Sequence, residues 1–132
     1  MTSEERREQR YQRRKAARLK KRQETIGKYD DFERVASLNS LYEAAREASK
    51  GVDWKASVQR YNSLLLFNIS KTRAELLAGK DIRRGFICFD ICERGKLRHI
   101  KSVHFSEMVV QKSFCTNIIY PTFTRSLIYD NG

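Results

Sequence analysis

Nowhere in this sequence do uncharged apolar residues run for the roughly 18 positions that a membrane-spanning helix needs. The amino terminus, Met1-Thr2-Ser3-Glu4-Glu5-Arg6-Arg7, leads into further charge and not into the apolar stretch of a secretory signal. The expected location is therefore the cytoplasm, with no membrane partner. Cysteine is scarce and odd in number: Cys88, Cys92 and Cys115 fit neither a disulfide framework nor paired zinc knuckles, and are expected as buried thiols. Cys88 and Cys92, with His99 and His104, are the conceivable metal ligands. On a strand the two thiols share a face too far apart for easy chelation, so no metal site is expected. The scarcest class of all, relative to its opposite, is acid: 27 Lys and Arg face 16 Asp and Glu, a net charge of +11 in 132 residues. A surplus of this size repels the chain from itself unless a polyanion is near, which makes nucleic acid the default partner. Apolar residues at 40% are too many for whole-chain disorder, and the length suits one domain plus a tail.

The charge is unevenly placed. Residues 1–24 carry Arg6, Arg7, Arg10, Arg13, Arg14, Lys15, Arg18, Lys20, Lys21 and Arg22 against four Glu, a net +6 of the total. Tyr11, Ala16, Ala17 and Leu19 are too few to form a docking stripe, so residues 1–28 read as a solvated helix or a disordered arm that neutralises phosphates. Thr25 to Asp30 breaks the pattern, and residues 29–132 form the remaining unit. Asp30 or Asp31 can cap a helix over roughly 31–49, whose apolar positions Val35, Leu38, Leu41, Tyr42, Ala45 and Ala48 recur at three- and four-residue steps. A second helix starts at Asp53-Trp54 and holds its phase through Val58, Tyr61, Leu65, Ile69, Thr72 and Leu76 to Gly79, with Ser70 able to cap a restart. Beyond Gly79 the period changes to two. Arg84 to Cys92 and Leu97 to His104 flank the turn Glu93-Arg94-Gly95-Lys96, a β-hairpin with a cationic tip. Ser106 then opens a long helix through Val109, Val110, Phe114, Ile118 and Ile119 until Pro121 interrupts it. Phe123, Leu127 and Ile128 form a last apolar run. The fold class is thus α+β and mainly helical. A lone hairpin is marginal by itself, and the closing Asp130-Asn131-Gly132 is a turn that normally introduces something further, so the architecture reads as incomplete.

From about Ser40 onward the order of parts resembles the fingers region of bacterial reverse transcriptases of the group II intron and retroelement type. Those proteins have an apolar strand, a Gly-Lys-x-Arg turn, a second strand and a helix opening like Asp-Arg-Val-Val-Gln, followed by a Pro-x-Phe break. Here the parts stand as Phe86 to Ile91, Gly95-Lys96-Leu97-Arg98, Ile100 to Phe105, Ser106-Glu107-Met108-Val109-Val110-Gln111 and Tyr120-Pro121-Thr122-Phe123. Glu107 and Met108 stand where the family has Asp and Arg. The resemblance implies that Lys96 and Arg98 hold the phosphates of an incoming nucleotide, with Arg94 as a third cation, Gly95 at the turn and Gln111 as a candidate polar contact. It also implies RNA as template, with DNA as a second candidate, and a palm portion as partner.

Two-metal polymerisation needs paired carboxylates, which the family carries in that palm. No catalytic residue is therefore expected here, Mg²⁺ only alongside a complete palm, and no polymerase activity from this chain alone. Tyr29-Asp30-Asp31 lacks the intervening residue of the family's Tyr-x-Asp-Asp turn and is better explained as a helix cap. Two other readings stand beside the polymerase fragment: a freestanding basic RNA-binding module, and an interaction protein whose sheet a partner strand completes.

Overall fold

The computed structural model describes residues 1–124; Leu127, Ile128 and the turn at Asp130-Asn131-Gly132 lie outside them. The basic segment is a helix, α1 (Ser3–Tyr29). Its start is held by a capping box: Glu5 donates its amide to Thr2 Oγ1 at 3.2 Å, and Thr2 donates its own to Glu5 Oε2 at 2.6 Å. The break expected at Thr25 does not occur. Gly27 sits inside the helix, and the Asp30 amide still reaches Ile26 O at 2.8 Å.

Each of the two helices expected next is split in two. Asp31 caps α2 (Phe32–Val35) by accepting from the Arg34 amide, and Ser37 caps α3 (Leu38–Ser49) by accepting from the Ser40 amide. The corner between them strips Val35 and Ala36 of helical partners for their carbonyls. Ser113 supplies one, its hydroxyl donating to Val35 O at 2.7 Å, and Arg73 supplies the other, Nη1 to Ala36 O at 3.3 Å. Such replacement is what makes a buried helix break tolerable. The second split falls at Leu64, whose φ of −121° and ψ of 38° separate α4 (Ala56–Ser63) from α5 (Leu65–Leu77). Asn68 bridges it by donating to Tyr61 O at 2.9 Å. Asp53 and Trp54 lie in a turn before α4, and Ser70 lies inside α5 without restarting it.

The hairpin takes its expected form as β1 (Phe86–Glu93) and β2 (Lys96–Val103), antiparallel, with Phe86 opposite Val103 and Glu93 opposite Lys96. Arg94 and Gly95 both have positive φ, 51° and 75°. That pair is the two-residue primed turn whose twist matches the strands. Helix α6 (Phe105–Phe114) begins one residue before Ser106, which caps nothing; His104 precedes it with no side-chain cap. Nor does Pro121 end the helical path. A wide turn over Cys115–Ile119, closed by the Tyr120 amide donating to Cys115 O, shifts the bonding before α7 (Tyr120–Phe123). Proline then falls in a first turn, where its missing N–H is not needed.

The core lies where α3, α5 and α6 meet: Leu41, Ala44 and Ala45 pack with Ile69 and Val109. The small Ala44 and Ala45 let the helices approach closely, and Tyr61 meets Phe105 edge to face, centroids 5.0 Å apart. The phase read from the sequence is correct at Leu41, Ala45, Val58 and Ile69, all buried, and wrong at Leu38, which is exposed. Cysteine burial is corrected too. Cys88 and Cys92 are exposed, because among the described residues no layer covers β1, which is exposed throughout, and Cys115, in the wide turn, is half-buried. No helix among the described residues is long and apolar enough to cross a membrane.

Candidate nucleic-acid interface

Two elements carry the cations singled out in the sequence, and neither contributes a residue to the core cluster. On α1 the helical repeat sorts them. Arg7, Arg10, Arg14, Arg18 and Lys21 recur at three- and four-residue steps and so share one side, with Tyr11 among them. Arg6, Arg13 and Lys20 flank that stripe on one edge, Lys15 and Arg22 on the other. From Arg7 to Lys21 the stripe runs about 21 Å at 1.5 Å per residue. All ten cations are exposed. A shallow surface groove of about 450 Å³ lies along Arg7, Arg10, Arg14 and Arg18. The side opposite holds Glu5, Gln9, Gln12, Ala16 and Gln23. Toward its C-terminal end α1 meets α7, and there Thr25 is buried, its hydroxyl donating to Lys21 O at 2.9 Å.

The strand repeat sorts the hairpin in the same way. Alternation and register put Ile87, Phe89, Ile91 and Ile100 on one face, with Glu93, Lys96 and Arg98 toward the tip of that face. Phe86, Cys88, Cys92, Leu97 and Val103 occupy the other, with Asp90 opposite His99 and their side chains 2.5 Å apart. Lys96 and Arg98 are thus neighbours on one face, and Arg94 occupies the turn. Glu93 stands directly across from Lys96 and pairs with Arg98 at 3.3 Å. All these groups are exposed, so the pairing is weak and a stronger anion can displace the carboxylate. Gln111 is exposed on α6. Asp31 is occupied as a helix cap and Asp30 closes α1. Among the described residues no three His, Cys, Asp or Glu side chains gather in a group able to hold a metal ion.

The segment joining α5 to β1 is anchored at both ends of its charged run. Arg83 holds Asp81 through contacts of 2.6 to 3.0 Å, which keep the Asp81 carboxyl well below the usual carboxylate range. Glu107, buried in the first turn of α6, accepts the Arg84 amide at 2.6 Å. The Glu107 carboxylate thus ties the hairpin's approach to the following helix. Next to it Tyr61 has its hydroxyl buried, and burial raises its phenol above the ordinary value despite the nearby Thr72 hydroxyl and Arg84. Sequence reasoning passed over Arg60 and Lys71 and did not connect them with Arg84 and His104, yet the four line one cavity between α4, α5 and α6. No spacing in the sequence links them, since they come from four separate elements. Compared with models of known protein families and with curated proteins, the chain matches none.

Proposed function

We propose that this chain is the fingers-type, nucleic-acid-binding portion of an RNA-directed DNA polymerase. Its α1 stripe holds the phosphates of an RNA template and its hairpin tip holds those of the incoming nucleotide. What supports this most is the hairpin: Lys96 and Arg98 sit together on one face beside a primed turn, on a ribbon whose first strand and tip are exposed among the described residues. Such a ribbon can close over a ligand, with Arg98 offering a bidentate fork to phosphate oxygens and Lys96 a point charge. The apolar residues behind them on the same face, Ile91, Phe89 and Ile87, offer a surface for an unpaired base or strand. Mg²⁺ belongs to the palm carboxylates of such a polymerase, and this reading attaches none to the described residues. The exposed α1 stripe equally suits a freestanding RNA-binding module, in which the hairpin cations are merely two more charges.

One experiment separates the two readings. With the chain joined to a catalytic palm, Arg98→Ala should raise the nucleotide requirement about ten- to a hundredfold and leave RNA affinity nearly intact. Arg98→Lys should recover only part of the loss, since charge survives and the fork does not. Variants that shift RNA affinity and its salt dependence, with nucleotide use unaltered, would overturn the fingers assignment in favour of the basic module.

A further inference from the structure

The cavity between α4, α5 and the start of α6 has a volume of about 420 Å³, at the small end of ligand pockets and enough for one nucleotide unit. Three cations open onto it from three segments: Arg60 from α4, Lys71 from α5 and Arg84 from the segment before β1. None of the three forms an ion pair among the described residues. Glu75 is the acidic residue in the lining, so the cavity is net cationic. His104 and Ser106 close its far side at the first turn of α6, where the first backbone bond is donated by Glu107 to His104 O. The Phe105 and Ser106 amides fall outside that bonding and add to the positive potential. Phe67, also in the lining, leaves two thirds of its surface open, a face on which a base can stack.

We infer that this cleft binds a nucleotide through a terminal 5′-phosphate, with the phosphate toward Arg60, Lys71 and Arg84 and the base against Phe67. The inference rests on the nucleic-acid reading above for its ligand class and adds an end-recognition site to it. A terminal phosphate monoester carries about −1.5 to −2 charges at neutral pH, against −1 for a diester within a strand. Three cations gathered around one small cavity suit the more highly charged end, whereas the extended one-sided stripe of α1 suits the successive diesters of a strand. Either a free 5′-nucleotide or the first nucleotide of a strand presents this chemistry.

The test uses the full chain and a short single-stranded RNA labelled at its 3′ end, with a 5′-phosphate or a 5′-hydroxyl, followed by fluorescence anisotropy at about 150 mM salt. The phosphorylated RNA should bind about tenfold more tightly, as expected for one charge-assisted cluster. Arg60→Glu with Lys71→Glu should bring that ratio close to one. Arg60→Gln with Lys71→Gln gives a second pair of variants if the reversals unfold, and circular dichroism verifies the fold. AMP should displace the phosphorylated RNA at lower concentration than inorganic phosphate does. Displacement at the concentrations at which AMP binds alone assigns free nucleotides as ligands too, and displacement only far above them assigns the strand end. A ratio near one for the unmodified chain, or a ratio that survives the double substitution, overturns the site; phosphate competing as well as AMP removes the base from it. Steep salt-dependent RNA binding with a ratio near one would sink the cleft alone. A ratio near ten in a chain whose Arg98 variants leave nucleotide use unaltered would sink the polymerase reading alone.

Discussion

In the helical core Leu41, Ala45 and Val109 expose none of their surface, while on the hairpin every residue of β1 is exposed, Phe86, Ile87, Phe89 and Ile91 included. The two regions are similarly rich in apolar side chains, yet only one of them buries these. The core draws α3, α5 and α6 together with small residues at the contact and side-chain hydrogen bonds at each helix break. The hairpin draws its order from its own ladder and its primed turn. The same division runs through the charges. α1 and the hairpin tip, which stand apart from the core cluster, carry the cations in stripes; α3, at the centre of the packing, carries Arg46, with Lys50 just past its end, beside Glu43 and Glu47. The packed core and the two cation stripes therefore lie in different parts of the molecule, and on the reading proposed for the stripes each should be alterable with little effect on the other.

The largest test of that separation is removal of residues 1–24. If six to ten cations meet phosphates, RNA affinity of the full chain should fall by about 10³ to 10⁵ between 50 and 200 mM salt. The deleted chain should lose most of that slope while its denaturation midpoint stays close to that of the full chain. An unchanged slope would move RNA binding onto the core and break the comparison. Next in size, Leu41→Ala should cost about 2 to 5 kcal/mol by the loss of packing and the cavity left behind. Phe89→Ala, on the open hairpin, should stay within about 0.5 kcal/mol. Urea unfolding of the two variants gives the contrast directly, and equal losses would mean that the hairpin is packed in solution.

Ser113→Ala probes the corner between α2 and α3. Without the hydroxyl, Val35 O is left buried and unpaired, a loss of about 1 to 3 kcal/mol, and Ser113→Thr should recover part of it. Smallest is the acid-side effect at Asp81. Its carboxyl, bonded to Arg83, ionises below its ordinary value, so its contribution is complete above the ordinary carboxylate pKa and fades as pH falls through the lowered one. Asp81→Asn should remove that part of the pH profile of stability and leave the profile near neutrality unchanged in shape. The pair is fully exposed, so urea midpoints taken from pH 5 downward should differ only slightly. A large difference would show that the segment before β1 helps to hold the core.

What was legible beforehand follows the range of the interactions involved. The hairpin, its register and its turn depend on alternation and on Arg94-Gly95, both local, and they could be read directly. The break between α2 and α3 could not, because it is made tolerable by residues far away in sequence, and the break at Leu64, bridged by Asn68 to Tyr61 O, leaves the apolar period on either side of it unchanged. Ser113 reaches Val35 across 78 positions and Arg73 reaches Ala36 across 37; without those donors the uninterrupted helices are the better reading of the same periodicity. The cysteines were misjudged for a related reason. Apolar character predicts burial only where another layer exists to cover it, and Cys88 and Cys92 lie on β1, which none covers among the described residues. Within the candidate interface, the identities of Lys96, Arg98 and the ten cations of α1 were evident from residue type and clustering. The cavity of Arg60, Lys71, Arg84 and His104 was hidden because its members share no segment and no period.

By itself the sequence determined the charge of this protein and its concentration at the N-terminal end, the helical and strand periods, and the turn that closes the hairpin. Each of these depends on residues within a few positions of one another. Only the tertiary structure decided where helices bend, which apolar faces are covered and which cations converge on one cavity. Those outcomes depend on carbonyls, surfaces and charges meeting partners from distant parts of the chain, and no local pattern records such meetings.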